Sequence, residues 1–480
     1  MSFTESPAVE TLEVKRIGFV GADEQRGASN AKDQLFMNFL AEKIEHPDRQ
    51  GVKYWVRTRP GLSTVYTLGT GVGRGIYYWN YGTGYVFSIV GNTVYSNTAV
   101  LGTLNTSTGA CGFTEFLDST GTRKLILLDG TDCWVFTSGT AMGTRVTDVN
   151  FPTPHIPQPV FIDGYLFVAK ANRQDIYNSN LNDPTTWNSS QYISAEIYPD
   201  LVMGLTKNNN YLIAIGQYSA EWFYDAGNAT GSPMARYPSA VQQFGVEATN
   251  TVVQTDKEII CVGQTQDGSR TVWSVDGFKE KDISIPSVRY ALDAEGANIT
   301  TASAMALRVC GQKLYAIFLA SGRILVYSFD TQLWHEWSFT NVPTDVTNSP
   351  VGAPYMLVSN GTTMVVAKFD ETIYTDFGIA PTGVLQTSCM DFSTSRRKRM
   401  DEMIVVGDAP NGTNNVPATI QWSDDDYNTW STGVTMNINP YRSRITRLGM
   451  FRRRALKLTY NQPYPLRMEG MEFQINKGQS

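Results

Sequence analysis

From about residue 75 to residue 376 the chain repeats one pattern: a short apolar run, a brief turn of Gly, Asn or Asp, then a second apolar run. It is plainest in YVFSIVGNTVYSN, KLILLDGTDCWVF, PVFIDGYLFVAK, KLYAIFLASGRILVYSF and PYMLVSNGTTMVVAKF. The GN, DG, SG and NG pairs tolerate φ > 0, which matches the twist of the strands in a tight hairpin. LIAIGQYSAEWFYDAG and EIICVGQTQDGSRTVWSVDG add two more strand pairs. Hairpins recurring at intervals of ~40–50 residues predict a β-propeller, whose blades are four-stranded sheets of about that length. The blade number is left open, and a solenoid or stacked sandwiches satisfy the same strand count.

The flanks differ in texture. GADEQRGASNA near the start reads as an ordered loop or arm, and residues 31–45 (AKDQLFMNFLAEKIE) predict a short amphipathic helix. That helix would carry Leu35, Phe36, Phe39, Leu40 and Ile44 near one face. VKYWVRTRPGLSTVYTL reads as a strand broken at Arg59-Pro60-Gly61, where Pro-Gly favours a type II turn. The glycines at 69, 71, 73 and 75 tempt a phosphate-loop reading, but they match neither GxGxxG before a helix nor GxxxxGK[ST]. A glycine-punctuated start of a strand is the better expectation.

Beyond about residue 381 comes a dense charge run, SRRKRMDE, followed by the strands MIVVG, ATIQWS, TGVTMNI, RALKLTY and RMEGMEFQI. The expectation is therefore an all-β chain. Residues 1–74 form an N-terminal arm and platform segment, 75–380 a β-propeller, and 381–480 a β-sandwich-like platform domain completed by the N-terminal segment. Chain ends that lie close together make that pairing natural.

Composition agrees: hydrophobic residues make up 42%, aromatics 12% and charged residues only 18%. β-branched and aromatic residues suit a pleated, half-buried surface, and low charge fits a protein that covers much of its surface with partners. Cys111, Cys133, Cys261, Cys310 and Cys389 are far apart and form no CxxC or Cys/His cluster. Reduced thiols are expected rather than a zinc site or a disulfide framework. Residues 1–16 lack a signal-peptide core, and no apolar run reaches the ~20 residues of a membrane span. The expectation is a protein made in a cytoplasm, with no membrane-spanning segment.

Three segments read D-x-x-x-W: Asp183 to Trp187, Asp330 to Trp334 and Asp426 to Trp430. The last lies in SDDDYNTW, an Asp-box of the form S-x-D-x-G-x-T-W with Tyr427 in the glycine position. In such a turn a carboxylate accepts backbone N–H bonds and the tryptophan packs beneath. Asp426 and Trp430, like Arg59, Pro60 and Gly61, are expected to be structural.

Charge changes the picture at the close of the chain. Between Tyr427 and Met468 there are eight basic residues, Arg442, Arg444, Arg447, Arg452, Arg453, Arg454, Lys457 and Arg467, and no acid, although the whole chain carries −6. Three readings compete: a docking surface for a neighbouring subunit, a contact to DNA phosphates, and a solvated strand face.

Catalysis has little to stand on. His46, His155 and His335 have neither HExxH nor HxH spacing, and no G-x-S-x-G elbow is present. A propeller glycosidase would need paired carboxylates, for which Glu221 and Glu247 are the candidates without an assignable partner. No catalytic residue, metal site or cofactor is assigned.

Four stretches, in order, resemble the packaged-DNA stabilisation or tail nozzle proteins of short-tailed bacteriophages. They are NFLAEKIEH with VRTRPGLS; IYNSNLNDPTTWN with PDLVMGLTKNNNYLIAIGQYSAEWFYDAGN; FGVEATNTVVQTDKEIICVGQ with TVWSVDGFKEKDISIPSVRYAL; and SDDDYNTWS with YRSRITRLGMFRRRALKLTYNQPYPLRMEGMEFQI. The resemblance implies a virion tail protein with a propeller on a platform made by the chain termini. It implies a homo-hexameric ring below the portal and its adaptor ring, extending the DNA channel. A tail plug or needle, tail fibres or spikes and the passing genomic DNA are the implied partners. Glycosidase and receptor-binding adhesin are the alternatives.

Overall fold

The computed structural model describes residues 11–19, 34–44, 53–255, 257–347, 352–410 and 415–477. The chain divides into two compact units. One comprises Thr64–Arg323 and Asn341–Phe369; the other comprises Met1–Ser63, Ile324–Thr340 and Asp370–Ser480.

The larger unit is a β-propeller built from four-stranded antiparallel sheets in chain order. The first contains Gly73–Trp79, Tyr85–Val90, Thr93–Ser96 and Ala99–Thr103, and the second Gly112–Leu117, Arg123–Leu128, Cys133–Phe136 and Thr144–Arg145. The third begins at Val160–Ile162, the fourth at Val202–Asn208 and the fifth at Val253–Gln254. A hairpin, Ser303–Val309 with Gln312–Phe318, follows. A further sheet of Asp345–Thr347, Tyr355–Ser359 and Met364–Asp370 takes its fourth strand from far earlier in the chain, Gly61–Thr67.

Period-two alternation explains why these strands read as nearly continuous apolar runs. Leu125 and Leu127 pack with Trp79, Phe87 and Phe136, whereas Ile126 and Leu128 between them pack with Leu166, Val168 and Trp187. Phe167, between Leu166 and Val168, turns the other way toward Leu205, Leu212 and Phe223. Each sheet thus buries both faces, one against the sheet before and one against the sheet after, so neither set of alternate positions can be polar.

The last and first sheets of this unit meet through side chains that replace ladder partners. The Asp345 carboxylate accepts from Ile76 N at 2.8 Å and from Val346 N at 2.8 Å, and Thr347 Oγ1 accepts from Tyr78 N at 2.9 Å. Their shared core contains Ile76, Val86, Leu357 and Val366.

The expected hairpin turns are present: Gly91 has φ 57°, and Asp163 and Gly164 have φ 48° and 85°. The glycine-rich segment leads into strand Gly73–Trp79 rather than a helix. Gly75 is needed for packing, because a Cβ there would lie 2.8 Å from the Cys111 carbonyl oxygen.

The smaller unit stacks two sheets around one core. The first runs Phe39–Lys43, Tyr54–Thr58, Arg467–Lys477, Lys398–Asp408, Arg442–Phe451, with Thr11–Ile17 also paired to Arg467–Lys477. The second includes Trp334–Trp337, Leu35–Met37, Gly383–Gln386, Ala455–Tyr460, Pro417–Ser423 and Val434–Asn437 in that order. Met403, Val405 and Phe473 from the first pack with Leu385, Ile420, Leu456 and Leu458 from the second. The N-terminal strands complete this β-sandwich-like platform.

The helix expected over residues 31–45 is corrected where it is described. Leu35–Met37 and Phe39–Lys43 are strands in different sheets, and the chain crosses between them at Asn38, in the left-handed region at φ 58°. The five apolar positions fit a helical face equally well; sheet neighbours decide the outcome, because Phe36, Phe39, Leu40 and Ala41 are all buried. The loop or arm expected at GADEQRGASNA, residues 21–31, lies outside the described residues. No helix of the described residues is long and apolar enough to cross a membrane.

Candidate interaction surface

The basic close does not form one surface. Arg442–Phe451 is the terminal strand of its sheet, hydrogen-bonded along one edge to Lys398–Asp408 and, among the described residues, to no strand along the other. Ser443, Ile445, Leu448 and Phe451 turn inward, while Arg442, Arg444 and Arg447 are exposed. A bulge interrupts the alternation: Met400 pairs with Gly449 but Glu402 with Thr446, leaving Arg447 and Leu448 opposite Asp401. Arg447 takes φ 64°, which keeps its side chain out while Leu448 enters the core.

The exposed arginines are held to different degrees. Arg442 pairs with Glu472, with Nη1 at 3.2 Å from Oε1, and Arg444 lies 3.7 Å from Glu402. Arg452 donates to the Ser395 carbonyl at 2.9 Å, and Arg453 reaches to 4.0 Å of Asp426. Arg447 has no ion pair among the described residues. Solvent screening makes such exposed pairs weak, so these guanidinium groups remain open to a stronger acidic partner.

Arg454 and Lys457 are different. Arg454 is fully buried: Nε and Nη2 donate to Asp424 at 2.7 and 2.8 Å, and Nη1 donates to the Leu448 carbonyl at 2.8 Å. Its guanidinium stacks 4.3 Å above Phe451. Arg454 thus ties the bulge into the core rather than presenting charge. Lys457 lays its ammonium 4.1 Å above the Trp430 ring, and burial holds its pKa below the usual lysine value. Sequence reasoning missed Lys398, which lies inside the SRRKRMDE run yet is buried. Its ammonium donates to the carbonyls of Thr394, Arg396 and Arg452, a cage invisible in a run of charges.

The Asp-box forms, but its working carboxylate is Asp425 rather than Asp426. Asp425 accepts from Thr429 N at 2.9 Å, Thr429 Oγ1 at 2.5 Å and Ser423 Oγ at 2.8 Å. These bonds hold its pKa at about 2. Asp426 and Tyr427 both adopt positive φ, 58° and 67°, and the Tyr427 hydroxyl donates to the Thr387 carbonyl at 3.0 Å. The buried ring and that hydrogen bond compensate for the missing glycine.

Arg59, Pro60 and Gly61 are buried and join all three segments of this unit. Arg59 donates to Asn38 Oδ1 (3.0 Å), Pro60 O (3.1 Å), Ser338 O (2.8 Å) and both oxygens of Asp376 (3.0 and 2.5 Å). All five guanidinium donors are thereby used. The expected type II turn is corrected: Gly61 lacks the positive φ that such a turn requires at its third position. Gly61 serves close approach instead, since a Cβ there would meet Thr375 O at 2.2 Å.

The glycosidase candidates are already engaged. Glu221 is buried and accepts from Ile197 N and Arg236 Nε, each at 2.8 Å. Glu247 receives Arg270 in a two-pronged pair at 2.7 and 2.8 Å. His155 and His335 are buried, and desolvation pushes both down to about 4. No group of His, Cys, Asp and Glu able to hold a metal occurs among the described residues.

This architecture defines an all-β protein that joins a propeller to a β-sandwich-like platform with a basic edge. More particularly, the chain belongs to the phage stabilisation family whose model is described as Bacteriophage P22 Gp10, beta-propeller, and which matches residues 21–372. The basic strand lies beyond the matched residues. No curated protein matches the chain. Among solved structures it is similar to BBS1N in complex with ARL6DN, with TM-score 0.41 and 11% identity, covering 66% of this chain and 99% of that one. It is also similar to the N-terminal domain of Nup159, with TM-score 0.38 and 10% identity, covering 70% of this chain and 100% of that one. PorZ of Porphyromonas gingivalis follows at TM-score 0.36 and 10% identity, covering 64% and 39%.

Proposed function

We propose that this protein is a tail nozzle subunit: a structural, non-enzymatic component of the virion tail that forms a ring below the portal and adaptor. Six copies would extend the DNA channel, retain the packaged genome together with a plug or needle, and anchor fibres or spikes. Family membership supports the virion role. The observation that carries the docking reading is the free basic edge of Arg442–Phe451.

A closed ring needs heterologous contacts, in which one face of a subunit meets a different face of the next. Arg442, Arg444, Arg447, Arg452 and Arg453 form a positive rim on a chain of net charge −6, so each copy offers both signs. Charged edges also discourage indiscriminate strand pairing, which leaves an acidic neighbour as the favoured partner. A wall that binds phosphates tightly would slow ejection, so the rim is assigned to protein docking rather than to DNA.

Electron microscopy of purified protein, and of phage particles carrying Arg452→Glu with Arg453→Glu, tests this. Wild-type rings and mutant subunits that fail to assemble or to dock on filled heads are expected. Normal mutant rings on filled heads would refute the docking role, and full, stable heads lacking the protein would refute genome retention.

A further inference from the structure

One open surface groove of the propeller has the chemistry of a ligand site that the nozzle reading does not use. It has a volume of about 480 Å³ and is lined by Asp163, Asn210, Tyr211, Tyr224, Asp225 and Gly227. Asp163 comes from the hairpin turn of the third sheet. Tyr211 and Tyr224 face each other across neighbouring strands of the fourth. Tyr224 is exposed although it lies within strand Ala220–Asp225, and it continues into a cluster in which Tyr237 stacks on Phe278 at 5.4 Å.

Most polar groups around this groove have no hydrogen-bond partner, although the Asp163 carboxylate lies within electrostatic reach of the Lys207 ammonium. Among the described residues, the Asp163 carboxylate, the Asn210 amide and the hydroxyls of Tyr211 and Tyr224 have no hydrogen-bond partner. Asp225 spends one oxygen on Gly227 N at 2.8 Å. Clefts of roughly 300–1,000 Å³ with ring faces and a few convergent polar groups are the usual form of small-molecule sites.

We propose that this groove binds a neutral saccharide unit. A tyrosine ring offers a flat apolar face to the C–H groups of a pyranose, while its hydroxyl stays polar. Carboxylates accept from adjacent sugar hydroxyls, and the asparagine amide both donates and accepts. Asp163 and Asp225 disfavour uronic and sialic acids, because an anionic sugar would bring like charge against them. The Lys207 ammonium near Asp163 is spent on the Phe161 carbonyl and does not line the groove. The assignment is independent of ring assembly.

The test is saturation-transfer NMR on the full-length protein with glucose, galactose, N-acetylglucosamine and N-acetylneuraminic acid as probes. Transfer to at least one neutral sugar and none to N-acetylneuraminic acid is expected. Tyr224→Ala and Asp163→Asn, both at exposed positions, should each weaken binding by about tenfold or more at an unchanged melting temperature. No transfer to any neutral sugar, equal transfer to the acidic one, or undiminished binding by both variants would overturn the proposal. So would association of this face with a virion protein in the absence of any sugar signal.

Discussion

The guanidinium of Arg59 and the carboxylate of Asp376 meet in a two-pronged, fully buried pair at 3.0 and 2.5 Å, 317 positions apart in the chain. Phe339 stacks 4.4 Å from the same guanidinium, and Asn38 bridges Arg59 to Ser338. The platform unit is made of three separate chain segments, and this one side chain contacts all of them. Breaking such a pair from one side strands a buried charge, at a cost of ~3–5 kcal/mol. Arg59→Ala and Asp376→Ala should therefore each lower the platform's unfolding free energy, read from denaturant melts, by that order. Arg59→Lys should recover little, because an ammonium cannot serve the five acceptors of a planar fork.

Asp345 sets a pH dependence in the propeller. Burial pushes its carboxyl up to about 7, against bonds from Ile76 and Val346 that favour the charged form. Between the ordinary carboxylate value and about 7, the folded chain holds this proton more tightly than the unfolded chain. Its contribution is thus present in full below about pH 4 and is lost as pH rises through about 7. His155 works in the opposite sense, losing stability as pH falls from its ordinary value through about 4. Comparison with Asp345→Asn isolates the carboxyl: the stability advantage of wild type over the variant should narrow from pH 5 to pH 8. A constant gap in thermal or denaturant melts would contradict the assignment.

Substitutions within RRR should separate into two kinds. Arg454→Ala removes the donors to Asp424 and leaves the buried Leu448 carbonyl orphaned, so it should destabilise the platform by at least ~2 kcal/mol. Arg452→Glu and Arg453→Glu sit on the surface and should change the monomer's stability by less than ~0.5 kcal/mol while abolishing ring assembly. Denaturant melts and sedimentation on the same preparations measure both effects.

Glu221→Gln should cost ~1.5–3 kcal/mol, the range for a hydrogen bond to a charged group, because it breaks the pair with Arg236. Wild-type protein incubated with sialosides or host polysaccharide should release no product. Turnover abolished by Glu221→Gln would restore the glycosidase reading.

The hairpins show what pattern can do. GN, DG and NG turns between apolar runs, and the doubled burial of alternate positions such as Ile126 and Leu127, follow from backbone rules that act over a few residues. The propeller and the strand character of the close were therefore legible, as was the Asp-box.

Contacts between distant segments were not. Leu35 to Ile44 satisfies helical and strand periodicities alike, and only the sheets on either side of Asn38 decide between them. Arg452, Arg453 and Arg454 are identical in composition, yet the Leu448 bulge and Asp424 draw one of them into the core. Asp425 rather than Asp426 closes the box because the Thr429 N–H and the hydroxyls of Thr429 and Ser423 converge on it. Gly61 needs to be glycine because Thr375, over three hundred residues away, leaves no space for a Cβ. Local sequence determined which segments became strands and where they turned. Tertiary structure alone decided which charges are spent inside and which remain for a partner, because burial and hydrogen bonding depend on neighbours that the chain brings together only when folded.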